Sequence, residues 1–323
     1  MPMIKFKNLP DWLHDFIYND MGGSYEPDKA AFQNNLFSDE EKNCKYLGTY
    51  FPRSFAESYC IFCNLFDNAA YVESIKDRDS FSILTFGCGT GGDLMGLLEA
   101  IAEKLPWIKN IEMTAYDGNF NAIAMMKKIV DHPHNQGRFH IHPDYAPVPM
   151  ESSEDFELFC RAIDKPYDFI MSFKMVNELY RHKILPTKPY QHLLEALTPK
   201  LTGTGVMLLL DVPLKEKGVN LPLLLTYGMR EFLRAHGEFE AMVPVPCHVK
   251  SRDCNERCYL RAVFYGDIFT SERVSYCMLA RTDMAKRVCD GIRNDNYVVN
   301  DDGEYCKKTS GVAERNVFDL KIK

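Results

Sequence analysis

The sequence predicts an α/β protein: a doubly wound, mostly parallel sheet with a helical N-terminal region and a cysteine-containing C-terminal insertion. Three observations predict it. From residue 80 onward, short apolar runs alternate with amphipathic stretches. A glycine-rich turn follows the first of those runs, and an aspartate ends the second.

Taken in order, Phe81–Phe86 (FSILTF) reads as a strand buried on both faces, as parallel strands are. Leu94, Leu97, Leu98, Ile101 and Leu105 then mark one face of a helix. Ile111–Tyr116 is a second strand ending at Asp117, Asn119–Val130 a helix, and Phe139–His142 a short third strand. Tyr167–Ser172 is the fourth strand. Tyr190, Leu193, Leu194, Leu197 and Leu201 line a helix that Gly203 is expected to stop, before a fifth strand at Val206–Val212. A helix over Asn220–His236 is capped by Asn220 and stopped by Gly237. Two strands follow, around Tyr259–Tyr265 and Val274–Ala280, and then a polar, loop-rich tail from Asp290. The chain thus divides into a helical region at 1–79, a core at 80–246 and a cysteine-rich segment with terminal strands at 247–323. Within the first, the aromatic-rich stretch Tyr46–Phe66 is expected to pack on the core.

The 323 residues are 46% hydrophobic, enough for one large α/β domain with appendages or for two modest domains. No run of 18 uncharged apolar residues exists, which excludes a membrane-spanning helix. The start, MPMIKFKNLPDWLHDF, has no apolar signal core and carries Asp11 and Asp15, so a cytoplasmic protein is expected. A net charge of −7 is the wrong sign for a general nucleic-acid coat. Contact with RNA would need a local basic surface, either Arg181, His182, Lys183 and Lys188 or Arg252, Arg257 and Arg261; the plainer reading of the same residues is ordinary solvated charges.

Gly87, Gly89 and Gly91 stand between a strand and a helix, where bare backbone can approach a nucleoside cofactor. The helix N-terminus there offers free N–H groups to a carboxylate. Gly87, Gly89 and Gly92 also satisfy G-x-G-x-x-G, so a nicotinamide or flavin site is an open alternative. Both readings want an acid after the second strand to hold ribose hydroxyls, and Asp117 stands there. It lies 30 residues past Gly87, against about 20 in dinucleotide sites.

FSILTFGCGTGGDL followed by IEMTAYDGN resembles the first two signature segments of class I S-adenosylmethionine-dependent methyltransferases, whose fold is Rossmann-like. The resemblance implies that Gly87, Gly89 and Gly91 line the methionine and ribose part of the cofactor, with Asp117 and Gly118 at the ribose. It puts Asp144, in the loop after the third strand, near the adenine amine, and Phe173 near the sulfonium. In YDFIMSFKMVNELY the polar pair Asn177-Glu178 follows the fourth strand. These are the candidate catalytic residues, with Glu178 as a general base; Glu178 reads equally as the start of a surface helix. The Asn/Asp-Pro-Pro-Tyr segment of many base-amino methyltransferases is absent.

Eleven cysteines is a high, odd count, and without a secretory signal it favours free thiols or a metal site over disulfides. Cys247, Cys254 and Cys258 cluster, with Cys289 further on, and His248 and Cys277 nearby as substitutes. Such a set suits zinc or an iron–sulfur cluster, or else is simply reduced. Cys60 and Cys63 read as a buried helical pair. The pieces TYFPRSFAESYCIF, YDFIMSFKMVNEL, PCH…C…C, SERVSYCMLAR and Cys289-Asp290-Gly291 resemble, in order, a narrower family. These are the methyltransferase-like proteins of the mitochondrial small ribosomal subunit and their bacterial relatives. That resemblance implies Cys247, Cys254, Cys258 and Cys289 as metal ligands, and ribosomal RNA or a ribosomal protein as partner. The sequence departs from the family where His248 follows Cys247 directly and where Arg257-Cys258-Tyr259 replaces Trp-Cys-His. The leading expectation is a methyltransferase; the others are a non-catalytic, cofactor- and metal-binding ribosome-assembly factor and a nicotinamide-dependent oxidoreductase.

Overall fold

The computed structural model describes residues 9–26, 39–212, 215–216, 219–243, 260–262, 272–290, 298–299 and 305–306. Its main sheet holds β1 (Ser80–Phe86), β2 (Asn110–Asp117), β3 (His140–Pro147), β4 (Tyr167–Phe173) and β5 (Leu201–Asp211). The short strands β6 (Lys215–Glu216) and β7 (Val219–Asn220) pair with each other, as do β11 (Val298–Val299) and β12 (Tyr305–Cys306). Strands β8 (Phe239–Val243), β9 (Leu260–Ala262) and β10 (Glu272–Arg281) complete the sheet. Its order is β3-β2-β1-β4-β5-β10-β8, with β9 on β10. The first five strands are parallel, and β10 runs antiparallel between β5 and β8.

Helices cover both faces. One core is formed under α1 (Asp11–Asp15), α2 (Glu40–Phe66), α3 (Ala69–Ile75), α4 (Gly92–Lys104), α5 (Phe120–Val130) and α11 (Thr282–Asp290). The other lies under α7 (Ser153–Ala162), α8 (Val176–Arg181), α9 (Pro189–Leu197) and α10 (Leu221–Ala235). The short α6 (Pro133–Gln136) leads into the edge strand β3. β1 and β4 are buried on both faces because helices meet them from each side.

The expected elements that fall among the described residues form, with informative differences at their ends; of the strand expected around Tyr259–Tyr265 the described part is Leu260–Ala262, and most of the tail expected from Asp290 lies outside the described residues. α9 stops at Leu197, since Pro199 has no N–H to continue its ladder and the chain tightens into a 3₁₀ turn over Thr198–Lys200, and Gly203 lies inside a longer β5. β3 runs on through Pro143 to Pro147, which an edge strand tolerates. β8 and α11 were not expected. Among the described side chains of α11, Met284, Ala285 and Val288 reach the core, too few to stand out in a polar stretch.

The N-terminal helix α2 is part of the core. Asp39 caps it by accepting from the Lys42 N–H at 2.8 Å, and Glu40 and Glu41 suit the positive end of its dipole. It lies directly on α4. A Cβ at Gly92 would stand 2.5 Å from the Phe51 carbonyl oxygen, and one at Gly96 only 2.3 Å from that of Phe55. These two glycines, one turn apart, let the helix backbones touch. With the sheet below and α2 above, Leu94–Ile101 is buried on every side.

Pro52 lies inside α2 and has no N–H to give the Gly48 carbonyl one turn back. The Tyr18 hydroxyl donates to that carbonyl at 2.7 Å instead. Burial pushes the Tyr18 phenol up to about 12, so it stays a donor. At the amino ends of the strands, Asp168 is buried, forms a bidentate pair with Arg78, and accepts from Thr202 Oγ1 at 2.7 Å and the Ser82 N–H at 2.9 Å. That carboxylate is fully occupied in joining β1, β4 and β5.

Tyr18→Phe is expected to lower the unfolding free energy by about 1–3 kcal/mol, because it leaves a helix carbonyl unmet. In a Pro52→Ala background the loss should shrink, since Ala supplies the missing N–H. Urea unfolding of the double-mutant cycle checks this; additive losses would refute the substitution of one donor for the other.

Candidate active site

The candidate residues gather at the carboxyl ends of β1, β2, β4 and β5, the place where open α/β sheets bind ligands. Gly87, Gly89 and Gly91 have φ of 74°, 52° and 86°, conformations that residues with a Cβ rarely adopt. The turn is stapled to β2: the Gly87 and Cys88 N–H groups donate to the Tyr116 carbonyl at 2.7 and 3.2 Å. Gly92 has no such φ; its missing side chain serves the α2 contact. Space is tight at the other three as well. A Cβ would meet Met175 at Gly87, Tyr46 at Gly89 and Met126 at Gly91.

Asp117 ends β2 and is turned to the turn, not away from it. One carboxylate oxygen accepts from the Gly89 N–H at 2.7 Å and the other from the Asn119 N–H at 2.8 Å. Burial raises its carboxyl, and those two donors oppose the rise. Gly118 is half-buried beside it, and Asn119 caps α5 through the N–H groups of Asn121 and Ala122. Asp93, in the first turn of α4, is buried with its carboxyl pushed up to about 6 by desolvation, and accepts from the Thr85 hydroxyl at 2.6 Å.

Past β4 the chain turns through Lys174, whose φ of 63° is strained for a residue with a side chain. Two contacts hold it: its N–H donates to the Leu210 carbonyl at 2.7 Å, and its ammonium pairs with the buried Glu57 of α2 at 2.7 Å. Glu178 then falls in the first turn of α8 and is solvent-exposed. Its carboxyl is nevertheless pushed up to about 7, first by desolvation and then by the charges of Asp117 and Asp211, with Arg181 opposing.

Asn177 is turned inward. Its amide donates to Asp211 and to the Lys174 carbonyl, each at 2.6 Å, and its N–H also reaches Asp211 at 3.0 Å. Asp211, at the end of β5, accepts further from the Tyr190 hydroxyl at 2.8 Å and the Val212 N–H at 2.7 Å. Asn177 thus fixes the turn that carries Glu178. Phe173 is buried at the end of β4, in the core beneath α2. Asp144 stands within β3, paired with Thr114, three positions before the strand's end, and is exposed. The structure therefore brings together the glycine turn, Asp117, Gly118, Asn177 and Glu178, and leaves Asp144 outside the loop. Tyr46, Asp93 and Asp211 join the site without having been singled out in the sequence. Arg181, His182, Lys183 and Lys188 are all exposed.

The expected metal centre is corrected. Among the described residues no three of His, Cys, Asp and Glu stand together as a metal site. Cys277 is buried in the sheet core instead. Cys247, Cys254 and Cys258 lie outside the described residues, as does the side chain of Cys289. Iron–sulfur and zinc therefore leave the account of the cofactor.

A parallel set in the order 3-2-1-4-5, followed by an antiparallel strand inserted before the last, with the glycine turn and acid at its carboxyl ends, settles the architecture. The fold is class I methyltransferase-like. Among solved structures, the mitomycin 7-O-methyltransferase is similar at 10% identity and a TM-score of 0.40, over 78% of this chain and 60% of that one. An S-adenosylmethionine-dependent methyltransferase of Clostridium acetobutylicum is similar at 11% identity and 0.36, over 70% and 91%. The precorrin-6y C5,15-methyltransferase of Geobacter metallireducens is similar at 15% identity and 0.35, over 67% and 88%. The chain thus spans 60% of the length of the mitomycin enzyme. No family model matches the sequence, and no curated protein matches it significantly. Among the described residues no helix is long and apolar enough to cross a membrane.

The raised Glu178 carboxyl carries a stability signature. It binds its proton more tightly folded than unfolded, so the stabilisation is full below the ordinary value of 4.5 and is lost as pH rises through about 7. Glu178→Gln should therefore gain in melting temperature over the wild type between pH 5 and pH 8. An equal difference at both pH values would show that the carboxyl is not raised.

Proposed function

We propose that the chain is an S-adenosylmethionine-dependent methyltransferase. The observation that carries the reading is the sign of the crevice. Asp93, Asp117, Asp211 and Glu178 gather around a glycine turn, and their mutual charge effects reach one another and Tyr46. Such a place favours a ligand with sulfonium and ammonium charges and disfavours the dianionic pyrophosphate of a nicotinamide dinucleotide. The residues fit the cofactor in three ways: a turn of positive-φ glycines, the N-terminus of α4 for its carboxylate, and Asp117 for its ribose hydroxyls.

The bound cofactor supplies an electrophilic methyl group on a sulfonium. The protein's own part is alignment and proton handling. Asp117, held by the Gly89 N–H, ties the ribose end to the turn. Asn177 and Asp211 fix the backbone from Lys174 onward and so place Glu178 at the crevice. With its carboxyl near 7, Glu178 is balanced between its two forms at neutral pH and takes the proton that the acceptor sheds. Of the two ribosomal acceptors that the sequence resemblance implies, an amine of a ribosomal protein suits an acidic crevice better than a phosphate-lined strand.

Titration calorimetry with S-adenosylhomocysteine and with NADH tests the cofactor. Binding of the first alone is expected, and NADH binding alone would replace this reading with the oxidoreductase. Asp117→Ala should weaken S-adenosylhomocysteine by about 1–3 kcal/mol, as loss of a charged acceptor does. With labelled cofactor and cell extract, Glu178→Gln should cut methyl transfer about 10²–10⁴-fold and remove the rise in rate across pH 7. Cofactor binding with no transfer to either protein or RNA would make the chain a non-catalytic factor.

A further inference from the structure

Among the described residues, those other than glycine with a positive φ are all lysines of the segment after β4: Lys174, Lys183 and Lys188. Lys174 is held by its pair with Glu57. Lys183 and Lys188, with φ of 63° and 47°, are exposed and form no ion pair among the described residues. Each stands where local structure favours a different residue. Lys183 follows the C-cap of α8. Its N–H donates to the Tyr180 carbonyl at 3.1 Å, and the Ile184 N–H to the Leu179 carbonyl at 2.9 Å, a closure whose left-handed residue is usually glycine. Lys188 is the N-cap of α9 and its side chain caps nothing, where Ser, Thr, Asp or Asn would accept an N–H. Strain of this kind collects at ligand-binding positions. The loop is also held in place, because Ile184 and Leu185 between the two lysines are buried.

This basic rim adjoins the acidic site. Glu178 and the exposed Arg181 are both on α8, and the charge of Arg181 acts on Glu178. Lys183 follows Glu178 by five residues, most of them helical at about 1.5 Å of rise each, a distance that two or three residues of extended chain cover. Acids around the glycine turn and cations beyond them make the surface bipolar. RNA carries one sign of charge along its whole length, so it would lay phosphate against Glu178 as well as the lysines. The net charge of −7 adds to that repulsion. A peptide can match both halves. We propose that Lys183 and Lys188 dock an acidic stretch of a protein acceptor, a few residues from the side-chain amine presented to Glu178. The inference rests on the methyltransferase reading and names its substrate class: a protein segment with an amine beside carboxylates. Rim contacts of this kind set encounter and its salt dependence, and leave cofactor binding alone.

The test is fluorescence anisotropy of the full chain with three labelled probes: a peptide of one lysine flanked by glutamates, the same peptide with glutamines, and oligouridine. The glutamate peptide is expected to bind about 3- to 20-fold tighter than the glutamine peptide, as two exposed charge pairs allow, and to lose that margin in high salt. Lys183→Gly combined with Lys188→Gly should abolish the margin and leave the melting temperature unchanged or higher, since glycine accepts both left-handed positions. Lys183→Arg combined with Lys188→Arg, which keeps the charge, should retain the margin. Equal binding of the two peptides, or a margin that survives the glycine variant, overturns the proposal. Tighter binding of oligouridine than of the glutamate peptide, lost in the same variant, replaces the acidic protein with a nucleic acid. S-adenosylhomocysteine binding, read by calorimetry on the same protein, fails only if the methyltransferase reading fails.

Discussion

Two missing side chains on α4 set the geometry of the molecule. Because Gly92 and Gly96 carry no Cβ, the backbone of α2 rests on α4 at Phe51 and Phe55. Interiors pack as densely as organic crystals, so a helix seated this closely has little freedom to slide. Its seat decides where the polar face of α2 points. Tyr46 reaches the glycine turn, Asn43 the loop after β2 and Glu57 the turn after β4 because the contact beneath them fixes their height. The site is therefore formed by two layers, the sheet's loops below and α2 above.

The two ends of the sheet use carboxylates in opposite ways. At the amino ends, Asp168 has a guanidinium, two hydroxyls and a backbone N–H as partners. At the carboxyl ends the acids crowd one another, and burial raises Asp93, Asp117 and Glu178 alike. Crowding of like charge opposes folding and is typical of a place that waits for a cation or moves protons. Asp211 stands between these cases, with four donors opposing its burial.

The path from β1 through the glycine turn and α4 to Asp117 was legible in the sequence, because apolar period, glycine and acid are local signals in a fixed order. What the turn packs against was not. Tyr46 and Gly89 are far apart in the chain, and only the three-and-four spacing from Asn43 to Glu57 hinted at a common face. Asn177 and Glu178 are neighbours, yet one is drawn inward by Asp211 of β5, a partner no local pattern names, and the other faces the crevice. The apolar signal of the third strand ends at His142, which puts Asp144 in a loop, whereas the edge strand continues through Pro143 to Pro147. The cysteine spacing suggests a metal, but among the described residues no metal cluster stands together, and Cys277, the possible substitute ligand, packs in the apolar core.

The prolines of β3 have a consequence for how these molecules meet. A sheet's outermost strand offers unpaired amide and carbonyl groups to any neighbour able to add another strand. β3 forms that margin, and at Pro143 and Pro147 it has no hydrogen to donate. A foreign chain laid alongside would find gaps in the ladder, so the margin discourages edge-to-edge aggregation without needing a covering helix.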